Sequence, residues 1–142
     1  NRSAKRIRIY KLMADTVTTQ TIADTSGVKF VAKLTNFSDG TGETLVKKVD
    51  ASELTFMSED GNRSIARVYY SINVSDSKSG VELIWDGTTN ATALFLSGNG
   101  FMDFRTDGNS IINNAGTPTG DVLLSTKNFA SGDNYTIIVE FR

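Results

Sequence analysis

The sequence predicts an all-β fold: a single-domain antiparallel β-sandwich, jelly-roll-like or Ig-like, of about 9–10 short strands. Apolar and polar residues alternate in several runs, which is the period of a half-buried strand. Gly, Asn, Asp and Ser recur between these runs at the spacing typical of a sandwich or barrel. The chain shows no amphipathic helical period.

The clearest strand is the run SIARVYYSINVS, which begins at Ser64. Alternation places one set of side chains toward the core: Ala66, Val68, Tyr70, Ile72 and Val74. It places a second set outward: Arg67, Tyr69, Ser71, Asn73 and Ser75. Tyr69 is the aromatic residue on the polar side, so we expect it to face solvent or a partner subunit.

Several shorter elements are predicted before this strand. Residues 5–13 (KRIRIYKLM) predict an edge strand whose charges discourage uncontrolled pairing. Residues 14–27, rich in Thr, Asp and Ser, predict a long loop or a weak strand between turns, of which the loop is the favoured interpretation. Residues 28–36 predict a strand with a core face of Val28, Phe30, Ala32 and Leu34. Residues 44–49 predict a short strand, residues 50–54 a helical turn or more strand, and residues 58–62 a turn.

The elements after it are also short strands between turns. Val81, Leu83 and Trp85 predict a core face before a break at Asp86-Gly87, and residues 91–96 predict a strand covered on both faces. Residues 97–100 predict a tight turn into a strand at 101–104, and residues 111–112 a short strand between turns at 107–109 and 113–120. The chain then predicts strands at 121–126 and 134–141, the last with Tyr135, Ile137, Val139 and Phe141 on one face.

Size and hydropathy indicate one domain that spans residues 1–142. A chain of 142 residues and 15.4 kDa fits a single core. No apolar run approaches the roughly 20 residues needed to span a bilayer, so we expect no membrane partner. Because the chain begins with Asn1, we expect that further residues precede it.

Two missing residue types narrow the chemistry. The chain has no Cys, which removes thiolate nucleophiles, disulfides and zinc–thiolate sites. It has no His, which removes the usual general base near neutral pH and the commonest transition-metal ligand. We therefore expect a protein that is not an enzyme, with no catalytic residues, cofactor or metal.

Charge is distributed unevenly along the chain. Five cations precede the first acid, Asp15, and the remaining ten cations face all 16 acids, so the chain after Lys11 carries −6. The sequence thus predicts a basic N-terminal arm, residues 1–13, on an acidic body. Either this arm is a solvated edge strand or it docks on an acidic neighbouring subunit.

Three further groups of residues can be interpreted either as ordinary structural features or as functional sites. Acidic turns such as Asp39-Gly40-Thr41-Gly42-Glu43 offer oxygen ligands for calcium, but Asp and Asn beside Gly also serve ordinary turns. Glu82 with Asp86 or Asp103 resembles a glycosidase pair, although surface acids are far commoner. An aromatic group can form a sugar-stacking platform, but core packing is the favoured interpretation: Trp85, Tyr69, Tyr70 and Phe95.

The predicted partner-binding residues combine the arm with the exposed tyrosine. They are Arg2, Lys5, Arg6, Arg8, Tyr10, Lys11 and Tyr69. Five charges without a motif do not specify nucleic acid, so we do not expect nucleic acid as a partner.

Two stretches, VELIWDGTTNATALFLSGNGFMDF and GDVLLSTKNFASGDNYTIIVEFR, give the chain a resemblance to a known class. Over residues 63–142 it resembles the small virion structural proteins of tailed bacteriophages. The resemblance implies a β-sandwich in a virion, as a capsid decoration (cement) protein or a neck, tail or baseplate component. Its partners would be capsid or other virion subunits, with repeated copies on the particle or a homo-oligomer. The resemblance carries no functional motif. The alternative to a virion role is a carbohydrate-binding or receptor-binding β-sandwich.

Overall fold

The computed structural model describes residues 14–56, 63–105 and 110–142. These ranges contain ten strands: β1 Thr16–Thr25, β2 Lys29–Asp39, β3 Val46–Val49, β4 Ser64–Asn73, β5 Gly80–Thr89, β6 Ala91–Leu96, β7 Asn99–Asp103, β8 Ile111–Ile112, β9 Gly116–Lys127 and β10 Ser131–Phe141. A 3₁₀ turn, Ala51–Glu53, follows β3. The predicted edge strand at 5–13 and the predicted turns at 58–62 and 107–109 lie outside the described residues.

The strands form two antiparallel sheets that pack face to face. The six-stranded sheet has the order β1-β2-β10-β4-β7, with β8 beside β4, and the four-stranded sheet has the order β3-β9-β5-β6. Every pairing between neighbours is antiparallel. The predicted single-domain β-sandwich is confirmed.

The topology is that of a jelly roll. When β1 and β8 are set aside, eight strands remain, and they pair in nested order. The first of the eight pairs with the last (β2 with β10) and the second with the seventh (β3 with β9). The third pairs with the sixth (β4 with β7) and the fourth with the fifth (β5 with β6). Nested pairing of this kind arises when one long antiparallel ribbon wraps around itself. Of the two sandwich types that the sequence allowed, the strand order selects the jelly roll.

The core lies between the sheets and is built by the predicted alternation. Phe30, Ala32 and Leu34 of β2 point into it, as do the alternate residues of β10 from Tyr135 to Phe141. From the opposite sheet, Trp85 packs edge-on against Phe141 with ring centroids 6.2 Å apart. The predicted core positions on β2, β4, β5 and β10 are buried with three exceptions: Tyr70 and Val74 of the β4 run are only partly buried, and Val28 is exposed in the turn before β2.

The predicted loop at 14–27 is wrong, because most of it forms β1. This strand pairs with β2 from Thr16 opposite Phe37 to Thr25 opposite Lys29. Threonine is β-branched and favours extended backbone, but β1 is an edge strand that is exposed along most of its length. Without a buried face it has no apolar alternation, and so the pattern that reveals other strands is missing here.

The environment of β6 and the limits of β5 and β9 also differ from expectation. β6 lies at the edge of its sheet and leaves Phe95 66% exposed, so it is not covered on both faces. β5 continues through Asp86-Gly87 to Thr89, and β9 already begins at Gly116 within the predicted turn. A Cβ on Gly87 would lie 2.3 Å from the carbonyl oxygen of Gly116, so this glycine permits a close approach of two strands instead of a turn.

Two isoleucines, one buried and one exposed, test which side chains face the core and which face solvent. Ile137 of β10 is fully buried, whereas Ile112 of β8 is 74% exposed. We expect Ile137→Ala to lower the free energy of unfolding by about 2–5 kcal/mol because it leaves a cavity, and Ile112→Ala to change it by less than about 0.5 kcal/mol. Urea unfolding followed by tryptophan fluorescence measures both, and equal losses would contradict the assigned faces.

Candidate interaction surface

The outward side of the six-stranded sheet, called here the outer face, is ordered in rows that run across the strands. Strand register places Lys33, Ile138, Tyr69 and Phe101 opposite one another from β2 to β7, with Gln20 of β1 at the end of the row. A parallel row toward the carboxyl end of β10 contains Val31, Glu140, Arg67 and Asp103. The next row in the other direction consists of hydroxyl and amide side chains: Thr18, Thr35, Thr136, Ser71 and Asn99.

The aromatic row is exposed at its centre. Tyr69 and Phe101 stack on each other with ring centroids 4.2 Å apart and an interplanar angle of 16°. They remain 43% and 49% exposed, respectively. Cross-strand aromatic pairs of this kind stabilise the sheet by about 0.5–1.5 kcal/mol beyond the area they bury. The pair also leaves a broad apolar surface for a partner.

A shallow depression of about 230 Å³ lies beside this pair. Its apolar lining comes from Ile22, Val31, Tyr69 and Ile138, and its polar lining includes Lys29 and Arg67. Ile22 sits where the register of β1 against β2 shifts, between Thr21 and Ala23. The bulge therefore brings an exposed apolar side chain to the rim of the depression.

The charged row is held together by one nearly buried carboxylate. Glu140 accepts from Arg67 Nε at 2.9 Å through Oε1 and from Arg142 Nε at 2.7 Å through Oε2. Burial raises the pKa of the Glu140 carboxyl, but the hydrogen bonds from Arg142 and Arg67 outweigh it and hold that pKa below its usual value. At the end of the row, Arg105 binds Asp103 through two nitrogens at 2.9 and 2.7 Å.

The opposite side of the sandwich, the outward side of the four-stranded sheet, has a different character and is called here the back face. Ile84 and Leu123 lie opposite each other at outward positions and are nearly buried, while Phe95 projects near the edge. Carboxylates surround them: Glu82 binds Lys127 Nζ at 3.2 Å, and Asp121 binds Lys47 Nζ at 3.1 Å. Asp86 accepts a hydrogen bond of 2.8 Å from the Thr119 hydroxyl.

The structure separates the candidate sites that the sequence suggested. Tyr69 is exposed on the outer face as predicted, whereas Trp85 is buried in the core and Phe95 lies on the back face. The four aromatic residues therefore form no common platform. The remaining predicted partner-binding residues lie outside the described residues: Arg2, Lys5, Arg6, Arg8, Tyr10 and Lys11.

The acidic candidates are likewise dispersed among structural partners. Glu82 is bound by Thr92 Oγ1 at 2.5 Å as well as by Lys127. Two carboxylates, Asp86 and Asp103, were considered as glycosidase partners of Glu82. Asp103 lies on the other sheet from Glu82 and Asp86, so it does not face Glu82. Among residues 14–56, 63–105 and 110–142, no group of three or more acidic side chains is placed to hold a metal ion.

Sequence reasoning missed two features. Phe101 and Ile138 join Tyr69 only through strand register, although an isoleucine between Thr136 and Glu140 at outward positions of β10 was a usable signal. The second feature is a buried polar network at the end of the sandwich where β2 leads into β3. There Glu43 Oε1 accepts from Tyr135 Oη at 2.7 Å and from Asn36 Nδ2 at 2.6 Å, and Glu43 Oε2 lies 2.5 Å from Lys48 Nζ.

Asp15 extends this network to the start of β1. Its carboxylate accepts from Asn36 Nδ2 and the Ser38 hydroxyl, both at 2.9 Å, and from the backbone N–H groups of Asp39 and Gly42. Burial raises the pKa of the Asp15 carboxyl, but these four hydrogen bonds outweigh burial and lower it. Burial and the bond to Glu43 raise the pKa of the Tyr135 hydroxyl far above its usual value, so it remains a donor. The network fixes the chain at the point where residues 1–13 join the sandwich.

The Glu43–Lys48 pair gives a testable contribution to stability. Both side chains are at least 95% buried, so neutralising one leaves an uncompensated charge in the interior. We expect Glu43→Gln to lower the free energy of unfolding by about 3–5 kcal/mol. Glu53→Gln makes the same change at an exposed position of the 3₁₀ turn and should cost less than about 0.5 kcal/mol. Chemical unfolding at neutral pH compares them, and a small loss for Glu43→Gln would mean that the pair is not structurally important.

No family model matches this chain, and neither the curated proteins nor the solved structures include a significant match. Within the described residues, no helix has the length and apolar character required to cross a bilayer. Because one fold hosts many activities, function has to be inferred from the chemistry of the surfaces.

Proposed function

We propose that this chain is a non-enzymatic structural protein of a tailed-phage virion. In this role it is a capsid decoration (cement) protein or another assembly component, present in repeated copies and bound to neighbouring virion subunits. Jelly rolls occur in viral capsid proteins and also in lectins and cupins, so the fold is compatible with the proposal without selecting it.

The observation that carries the proposal is the exposed outer face of the six-stranded sheet. It combines stacked aromatic rings, a depression with apolar lining, and arginines held in place by carboxylates. Tyr, Phe and Arg are enriched in protein–protein interfaces, and preordered arginines lose little entropy on binding. Five strands at a spacing of about 4.8 Å and roughly ten residues at about 3.3 Å give a face of about 800 Å², the area each partner buries in a standard interface.

A structural role also accounts for the acidic side chains. Glu43, Glu140, Asp15 and Asp103 are all engaged in ion pairs or in several hydrogen bonds within the sandwich. Groups held in this way hold loops and strands in place. They are poorly suited to exchange protons with a substrate, which supports assembly over catalysis.

The basic arm, Arg2 to Lys11, supplies a second contact in the proposal. It joins the sandwich at Asp15, beside the end of β2. We assign it the task of docking on an acidic neighbouring subunit by charge and by strand addition. The described residues carry ten cations and 13 acids, a net charge of −3, so another copy of the sandwich is an electrostatically suitable neighbour.

A carbohydrate-binding or receptor-binding module is the competing function, and one observation favours it. Tyr69 is an exposed aromatic residue on a fold that lectins also use. However, stacking on Phe101 covers one face of the Tyr69 ring. Because sugars bind to the faces of aromatic rings, this stacking leaves less of Tyr69 available to a sugar.

Incorporation into particles tests the assembly role. We expect Tyr69→Ala to reduce the number of copies per particle about tenfold at limiting protein, because it removes a central aromatic contact. Deletion of residues 1–11 should reduce it as well, through loss of the arm. Val28→Ala, an equally exposed apolar position in the turn before β2, is the matched control and should incorporate normally. Quantitative electrophoresis of purified particles gives the copy number.

Two results would count against the proposal. Normal incorporation of both Tyr69→Ala and the deletion variant would remove the two surfaces on which assembly depends. Sugar-specific binding by the intact chain on a glycan array, lost in Tyr69→Ala with unchanged thermal unfolding, would instead establish the competing module.

A further inference from the structure

The two outward sides of the sandwich carry opposite net charge. The outer face has five cations, Lys29, Lys33, Arg67, Arg105 and Arg142, against three carboxylates, Asp39, Asp103 and Glu140, a net charge of +2. The back face has two cations, Lys47 and Lys127, against four carboxylates, Glu82, Asp86, Asp121 and Asp50, a net charge of −2. The hydrogen bond from Lys47 to Asp121 and the charges of Asp121 and Asp50 raise the pKa of the Lys47 ammonium group.

Both sides also expose apolar side chains. On the outer face these are Ile138, Tyr69 and Phe101 in one row, and on the back face Phe95 projects near the edge. Ile84 and Leu123 occupy outward positions of the back face but are only 3% and 8% exposed, so they add no contact surface. The back-face strands have 4, 12, 10 and 6 residues, which give about 500 Å² by the same estimate as above. A contact of this size buries about 1,000 Å² in total, at the small end of specific interfaces.

We propose that the outer face of one copy docks on the back face of the next copy. This rests on the proposed function and specifies the partner of the surface that carries it. Docking of two outer faces would oppose two positive surfaces, and docking of two back faces would oppose two negative ones, whereas the mixed contact pairs unlike charges. Because the two faces lie on opposite sides of one sandwich, each copy uses both, and the contact repeats head to tail into a ring or a filament.

Variants that disable one side at a time test this arrangement. Tyr69→Glu removes the central aromatic ring of the outer face and adds a charge that repels the acidic back face. Phe95→Lys does the same to the back face by adding a charge that repels the outer face. We expect the wild-type chain to form assemblies larger than dimers as concentration rises, and each single variant to remain monomeric. Light scattering after size-exclusion chromatography, with full-length protein, measures the masses.

Mixing the two variants gives the decisive result. Phe95→Lys keeps a functional outer face and Tyr69→Glu keeps a functional back face, so an equimolar mixture should form 1:1 dimers and nothing larger. A same-face dimer would not be restored in this way. Val28→Ala should assemble like wild type, since Val28 lies in a turn at the end of the sheet.

Several outcomes would overturn the proposal. They are a wild-type chain that stays monomeric or stops at a dimer, single variants that assemble normally, and a mixture that fails to pair. If either variant unfolds, as judged by circular dichroism, Lys33→Glu and Asp86→Lys replace them with the same expected results. A monomeric wild type that still enters particles in a Tyr69-dependent manner would leave the virion role in place and refute only the contact between copies.

Discussion

The register of β10 against β2 and β4 determines which side chains form the core and which form the outer face. β10 lies in the middle of the six-stranded sheet and is paired along both edges. A slip of one residue would exchange Ile137 with Ile138 and bring Glu140 toward the interior. The same register that packs Tyr135 and Phe141 against the other sheet therefore also aligns Ile138 with Tyr69 and Phe101. The core and the outer face are therefore determined by the same strand register.

The end of the sandwich near Asp15 is stabilised by a different means. Tyr135 reaches from the central strand to Glu43, whose other oxygen lies against Lys48 of β3, so one carboxylate connects both sheets. Asn36 donates to both Glu43 and Asp15 and thereby links this pair to the start of β1. A buried network of this kind adds less stability than apolar packing of equal volume, but it is specific about geometry. It holds the loop from β2 to β3 and the residue before β1, Asp15, in one arrangement.

Much of the sandwich was accessible from sequence because its central strands bury one face. The alternation in β2, β4, β5 and β10 predicted the core positions, and Trp85 and Tyr69 were assigned to the correct sides. β1 was missed because an exposed edge strand of threonines has no apolar alternation. β6 was wrongly predicted to be covered on both faces, because apolar residues on both sides of a strand do not reveal that it lies at an edge of the sheet. The candidate surface was only partly predictable: Tyr69 could be identified alone, but Phe101 joins it through a pairing between strands distant in sequence. The burial of Glu43 and Lys48 could not be predicted, since it depends on the path of β3 across the sandwich.

The nested strand order has a consequence for how the chain folds as it is synthesised. Of the ten described strands, β10 is the last to leave the ribosome, yet it is the strand that joins β2 to β4. Until it arrives, the backbone N–H and C=O groups that β2 and β4 later share with it have no partner in the sheet, and the ring of Trp85 lacks the aromatic side of Phe141. Folding must therefore wait for contacts that span almost the whole chain, which makes it slow and leaves strand edges open to pairing with other nascent chains. The threonines of β1, which make the neighbouring edge polar, reduce this risk during the interval.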